Sequence, residues 1–322
     1  MSKILNVQNL SVSFTIQGRK LHAVRGVSFD LDVGEAVGIV GESGCGKSVA
    51  IQSLTRLIPS PPSYIESGSV FFDGVDLLKL SMNELRSVRG REIGMVFQDP
   101  MTSLNPTMKI GSQILEGILH HRLASKKEAE ARAIELLHLV GIPDPPLRFS
   151  QFPHQLSGGM RQRALIATAL AARPRILIAD EPTTALDPTI QTQILELLKQ
   201  LRRRLNMSLI LISHDIGVVA SLCDRVIVMY AGKIVEQGPV AGVLNTPKHP
   251  YTRMLLHSLP RLDSGHGQKL FAIEGSPPSL YAPPQGCPFA ERCPEAMNIC
   301  ERTPPPAFSS VCCWRYDSRC QK

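Results

Sequence analysis

Apolar residues in the first hundred positions and again after about residue 174 fall in short runs, each followed by a polar or helix-period stretch. Ala36–Val40 reads as a short buried strand, followed at once by a glycine-rich loop and a helical stretch ending near Leu57, before the Pro59–Pro62 breaker. Val70–Phe72, Ile93–Phe97, Ile176–Ala179, Ser208–Ile212 and Val226–Met229 read as further strands. Alternation of this kind predicts an α/β sheet with both faces covered.

Between about Asp99 and Arg173 the pattern changes to helical. Ala129, Ala133, Leu136, Leu137 and Val140 share one helical face, and Gly141 and Pro143 mark its end. This predicts a helical subdomain inserted into the α/β core. After about Asn245, Pro, Gly, Ser and Cys become frequent and the periodicity fades. A segment this poor in apolar residues needs a staple to fold. The expected organisation is a core of 1–98 and 174–245, an inserted subdomain of 99–173 and an extension of 246–322.

Composition changes the picture in three ways. No run approaches the ~18–20 apolar residues that span a bilayer, and the N-terminus MSKILNVQNL enters a strand pattern with no secretory segment. The chain is therefore expected to be cytoplasmic. The formal charge of +7 is not gathered into a basic stripe. Its densest cluster, Arg202–Arg204, sits at the end of a helical pattern, where cations offset the helix dipole, so no nucleic-acid partner is expected. Of the eight cysteines, six (Cys287, Cys293, Cys300, Cys312, Cys313 and Cys320) crowd the C-terminus. In a cytosolic protein such crowding points to metal or cluster ligation before disulfides.

Gly41-Glu42-Ser43-Gly44-Cys45-Gly46-Lys47-Ser48 matches G-x-x-x-x-G-K-[ST], with a strand before it and a helix after it. Its glycines let backbone N–H groups turn inward around phosphates, and the helix dipole favours the negative charge. Lys47 is placed to reach the β- and γ-phosphates and Ser48 to ligate Mg²⁺. Cys45 occupies a position where the backbone acts and the thiol is incidental. The strand Ile176–Ala179 runs into Asp180 and Glu181. Strand ends of a parallel sheet line the ligand crevice. Asp180 is expected to hold Mg²⁺ and Glu181 to act as general base on the attacking water. His214 and Gln98 each follow a strand, where an imidazole can contact the γ-phosphate and an amide can ligate Mg²⁺ or position water.

Leu156-Ser157-Gly158-Gly159-Met160-Arg161-Gln162 resembles the LSGGQ signature of ABC ATPases, with Met160 in place of its glutamine. Over residues 4–245 the chain resembles that family motif by motif. The resemblance implies a RecA-like, mostly parallel P-loop sheet with an N-terminal antiparallel β portion, the inserted helical subdomain and a small cysteine-rich extension. It implies that ATP is held by Gly41, Ser43, Gly44, Cys45, Gly46, Lys47, Ser48 and Val49, with Mg²⁺ on Ser48, Gln98 and Asp180. Gln98 takes the place of the Q-loop, Ala185-Leu186-Asp187 the D-loop and His214 the switch histidine. Ser157, Gly158 and Gly159 would grip the nucleotide of a partner ATPase in trans, whether that partner is a paralogue or an identical chain. Phe14 is the nearest candidate to stack on adenine, with a place in the strand core as its other reading.

Thr246-Pro247-Lys248-His249-Pro250-Tyr251-Thr252, Gln98–Pro106 and Asp180–Asp187 narrow the resemblance to the ATPases of dipeptide and oligopeptide importers. That implies ATP-driven peptide uptake with two membrane permease subunits and an extracytoplasmic solute-binding protein, the chain lying on the cytoplasmic face of the membrane. Importers of nickel chelates or glutathione share these features. A soluble ABC ATPase acting on nucleic acid or ribosomes, or a non-catalytic nucleotide binder, is the remoter alternative. Some members of this subfamily carry a four-iron four-sulfur cluster, for which Cys287, Cys293, Cys300 and Cys313 are the implied ligands. Cys312 is an alternative to Cys313, and zinc is an alternative to the cluster.

Overall fold

The computed structural model describes residues 3–184, 186–258 and 273–320. They divide into two compact units. One comprises mainly Leu31–Ala36 and Lys79–Ser213; the other comprises Leu5–Asp30, Val37–Leu78 and the chain from His214 onward.

In the first unit Ile176–Asp180 lies between Ile93–Val96 and Ser208–Ile212, parallel to both, in the registers Ile176↔Ile93 and Ile176↔Ser208. All five residues of Ile176–Asp180 and all five of Ser208–Ile212 are buried. Strands covered on both faces carry continuous apolar runs, which is why these two were legible in the sequence. The strand expected to reach Phe97 stops at Val96, and Phe97 emerges exposed. The unit's longer helices are Ile110–His120, Lys126–Leu139, Gly158–Ala169 and Pro188–Leu205. Lys126–Leu139 starts at a Ser125/Glu128 capping box and buries Ala129, Ala133, Leu136 and Leu137, the face read from the periodicity. Pro188–Leu205 starts at Asp187, whose carboxylate accepts from Ile190 N–H, and ends at Asn206 in the left-handed conformation with Arg202–Arg204 in its last turn.

The second unit has an antiparallel sheet in the order Arg19–Asp32, Lys3–Ile16, Ser63–Phe72, Val75–Asp76. The strand expected at Val70–Phe72 begins seven residues earlier, at Ser63. Residues 64–68 are exposed, the buried Ser63 is polar, and Val70 and Phe72 are the apolar residues that alternate into the core, so only that end carries a strand signal. The unit's other strands are Val37–Val40 of Ala36–Val40, parallel to Arg225–Tyr230 (Val37↔Arg225), and Lys233–Pro239, antiparallel to Arg225–Tyr230. Gly38 lets helix Ile216–Leu222 come close, since a Cβ there would lie 2.2 Å from Val219 Cγ1. The helix expected to reach Leu57 is Lys47–Leu54; Arg56, at φ 53, has already left the helical conformation. The C-terminal part adds short helices Val240–Asn245, Pro250–His257 and Asn298–Arg302. It is joined to the strands by a buried aromatic cluster of Tyr230, Tyr251 and Phe289, with ring centroids 4.6–5.4 Å apart.

Candidate functional site

The phosphate loop leaves strand Ala36–Val40 through Gly41 and enters helix Lys47–Leu54 through Gly46. Both glycines have positive φ, 153° and 99°. A Cβ on Gly41 would lie 2.2 Å from the Met229 carbonyl, and one on Gly46 2.3 Å from that of Ala23. Only glycine allows this backbone path. Ser43 and Gly44 are exposed at the loop's tip, and Ser48 and Val49 are half-buried on the first turn of the helix. Lys47 is buried, its ammonium donating to the carbonyls of Gly41 at 2.8 Å and Glu42 at 3.1 Å. The loop thus holds the lysine side chain curled inward on its own carbonyls. Cys45 is buried, and burial raises its thiol pKa despite the nearby Lys47, which suits an inert side chain. In the same unit His214 is exposed just before helix Ile216–Leu222, which Asp215 caps through Gly217 N–H at 2.7 Å. Phe14 is half-exposed on its strand.

The first unit carries the acids. Asp180 ends its strand buried, and Glu181 follows at φ 46 with its N–H on the Ile212 carbonyl at 2.9 Å. A non-glycine residue in this conformation is held there by its surroundings. Glu181 Oε2 accepts from Gln98 Nε2 at 3.0 Å and from Thr184 Oγ1 at 2.9 Å. The structure therefore brings Gln98 to Glu181 and adds Thr184, which sequence reasoning did not single out. A threonine three residues past an acid carries no signal until the turn folds it back. Gln98 commits its amide nitrogen to this bond, which leaves the amide oxygen as its donor for a cation, and with the Asp180 carboxylate it offers the oxygen ligands that Mg²⁺ prefers.

The same unit displays the signature stretch. Leu156 is buried and anchors it, while Ser157 and Gly158 are exposed at the start of the twelve-residue helix Gly158–Ala169. Ser157 Oγ caps this helix by accepting from Met160 N–H at 3.3 Å. Gly159 allows close packing on Ile190, with a Cβ there 2.9 Å from Ile190 Cγ2. Of the expected D-loop, Ala185 lies outside the described residues and Asp187 is the helix cap noted above.

In the C-terminal part Cys287, Cys293, Cys300 and Cys313 line one pocket with His249, Phe289, Trp314 and Arg315. Cys312 lines another, beside Lys233 and Gln237. Burial pushes the Cys287 thiol up to about 12 and the Cys293 thiol to about 11. Among the described residues no group of three or more His, Cys, Asp or Glu is arranged to hold a metal ion as it stands. The donor set suits a thiophilic group, and the thiols converge on one space without yet meeting in ligating positions. Cys320 does not line that pocket.

Residues 24–184 match the ABC transporter family, and residues 235–300 match the oligopeptide/dipeptide transporter C-terminal region. The chain is 54% identical to the dipeptide transport ATP-binding protein DppD of Bacillus subtilis, over 100% of this chain and 97% of that protein. The chain belongs to the ABC transporter ATP-binding family. This ABC protein is also 56% identical to the oligopeptide transport ATP-binding protein OppD of Bacillus subtilis, over 96% of this chain and 86% of that one. Its fold is similar to that of a dimeric ATP-binding cassette in a post-hydrolysis state bound to ADP and Pi, with a TM-score of 0.66 and 28% identity. That match covers 73% of this chain and 98% of the cassette. As an ABC ATPase it uses ATP and Mg²⁺. Among the described residues no helix is long and apolar enough to cross a membrane.

Proposed function

We propose that this ABC ATPase hydrolyses ATP to drive import of di- or oligopeptides, as one of two ATPase subunits on the cytoplasmic face of a pair of membrane permeases. Peptide as the solute is supported by the names of its relatives and by the match of its C-terminal region. The solute itself would be delivered by an extracytoplasmic binding protein. The partner ATPase is a paralogue or a second copy of this chain.

The observation that carries the hydrolytic reading is the Glu181 carboxylate, fixed at a strand end by Gln98 and Thr184. Glu181 takes the proton of the attacking water, with Gln98 and Thr184 fixing where its carboxylate points. Lys47 leaves its two carbonyls for the β- and γ-phosphates, and the amides of residues 43–48 cradle them. Ser48, Gln98 and Asp180 would hold Mg²⁺, which would supply positive charge to stabilise the transferred phosphoryl group. His214 meets the γ-phosphate and Phe14 the adenine. Ser157 and Gly158, exposed at a helix start, and Gly159 beside them serve the partner's nucleotide, so ATP joins two chains and hydrolysis lets them part. Glu181→Gln should bind MgATP and lose turnover by about 10²–10⁴-fold, accumulating as a closed ATPase pair. Unchanged turnover would refute the assignment. In reconstituted vesicles, ATPase activity should rise with a peptide-loaded binding protein.

The cysteine pocket is read as the seat of a four-iron four-sulfur cluster on Cys287, Cys293, Cys300 and Cys313, with zinc as the alternative. Four thiols on one space support this reading, and ligation requires them to draw inward. Such a group would tie four points of an apolar-poor segment together, acting as a structural staple.

A further inference from the structure

Two C-terminal side chains hold the phosphate loop from outside. Residue 42 has three polar groups, and each has a partner. Its N–H donates to the Tyr251 hydroxyl at 2.9 Å, its carbonyl accepts from Lys47 at 3.1 Å, and its carboxylate accepts from Arg292 Nη1 at 2.9 and 3.1 Å. Arg292 is bonded through all three of its nitrogens. Nη1 also donates to Tyr230 Oη at 3.0 Å, Nε to the Glu274 carbonyl at 2.9 Å and Nη2 to the Ile273 carbonyl at 3.1 Å. The Arg292 side chain is only 6% exposed. A guanidinium this buried and this fully bonded is a fixed strut rather than a surface charge.

We propose that Arg292 and Tyr251 are positioning residues of the nucleotide site, placing the C-terminal region in control of how tightly the loop takes ATP. Two physical effects carry the proposal. Glu42 puts a negative charge into a loop that must receive a polyanion, and Arg292 cancels that charge and fixes where it lies. Tyr251 accepts from the N–H of the Gly41–Glu42 peptide and so fixes that peptide's orientation, which means the loop need not be ordered when ATP arrives. Both residues lie beyond residues 24–184, the span that matches the ABC transporter family. Arg292 immediately precedes Cys293, and Tyr251 packs on Phe289 with ring centroids 5.4 Å apart. The segment that carries the cysteine pocket therefore also carries the loop's anchors, and loosening it loosens the loop.

The inference rests on residues 41–48 being the nucleotide loop, and the experiment separates the two. Binding of a fluorescent MgATP analogue to the full chain is measured by titration, with KM and kcat for ATP measured alongside. Arg292→Gln should weaken binding about tenfold, the size expected for a charge-assisted bond. KM should rise while kcat holds. Arg292→Lys, which keeps the charge, should recover most of the loss, and Glu42→Gln with Arg292→Gln should bind more tightly than Arg292→Gln alone. Tyr251→Phe, which removes only the hydroxyl, should weaken binding about threefold, the size expected for a neutral hydrogen bond. Wild-type affinity in folded Arg292→Gln and in Tyr251→Phe overturns the proposal, as does a double variant no better than Arg292→Gln. If Arg292→Gln does not fold, Tyr251→Phe decides. Lys47→Ala is the control on the loop: retained affinity there refutes the loop assignment itself, whereas lost affinity there with the other variants unchanged refutes only the role of Arg292 and Tyr251.

Discussion

Gln98 Nε2 donates to Glu181 Oε2 at 3.0 Å, bridging two strand ends that lie 83 residues apart in the chain. Thr184 Oγ1 donates to the same oxygen at 2.9 Å. One carboxylate oxygen thus carries two donors, and the direction of the acid is set before any water arrives. Thr184→Val keeps the side-chain shape and removes one donor. Steady-state hydrolysis should fall about tenfold in kcat with KM for ATP nearly unchanged, because a misaligned base costs the chemical step and not binding. An equal loss in nucleotide affinity would contradict this role.

Gly41 is the loop position least able to accept a side chain. A Cβ there meets the backbone carbonyl of Met229 at 2.2 Å and the Sγ of buried Cys45 at 2.9 Å. Gly41→Ala should lower unfolding stability by at least about 1–3 kcal/mol and abolish nucleotide binding. Urea denaturation and the same fluorescent titration measure the two effects.

The two adjoining cysteines face different spaces, Cys313 the shared pocket and Cys312 the one beside Lys233. In anaerobically purified protein, Cys313→Ser should abolish bound iron and labile sulfide, or zinc, while Cys312→Ser leaves the metal content intact. Metal analysis and the visible absorption spectrum decide. Equal loss in both variants would remove the distinction.

Hydrogen bonds from Ser125 hold the Glu128 carboxyl below its ordinary pKa of 4.5. A carboxylate held low in the folded state adds stability that is present above about 4.5 and is lost as pH falls through its lowered folded value. Amide exchange at the start of helix Lys126–Leu139 should therefore quicken on acidification below that point. In Glu128→Gln the amide retains a capping bond without titrating, and the acid dependence at those amides should flatten.

Much of the fold was legible because its strands are covered on both faces. Ile176–Asp180 and Ser208–Ile212 have no exposed residue to interrupt the apolar run. Ser63–Phe72 was legible only at its Val70–Phe72 end, where side chains alternate into the core; its exposed half carries no pattern to read. Lys47–Leu54 ends three residues short of Leu57 because the chain turns left-handed at Arg56, a backbone choice that hydrophobic spacing does not encode.

The sequence by itself determined the phosphate loop, the Asp180–Glu181 strand end and the Ser157–Gly159 helix start. Each is contiguous, and its chemistry lies in a backbone shape that a few neighbouring residues dictate. Only the tertiary structure decided that Thr184 steadies Glu181, that Cys313 rather than Cys312 shares the pocket, and that Arg292 grips Glu42 from 250 positions away. A lone arginine in a proline- and cysteine-rich segment has no period and no motif. Its partner is fixed by how the buried aromatic cluster of Tyr230, Tyr251 and Phe289 docks that segment, a consequence of packing that no local stretch of residues carries.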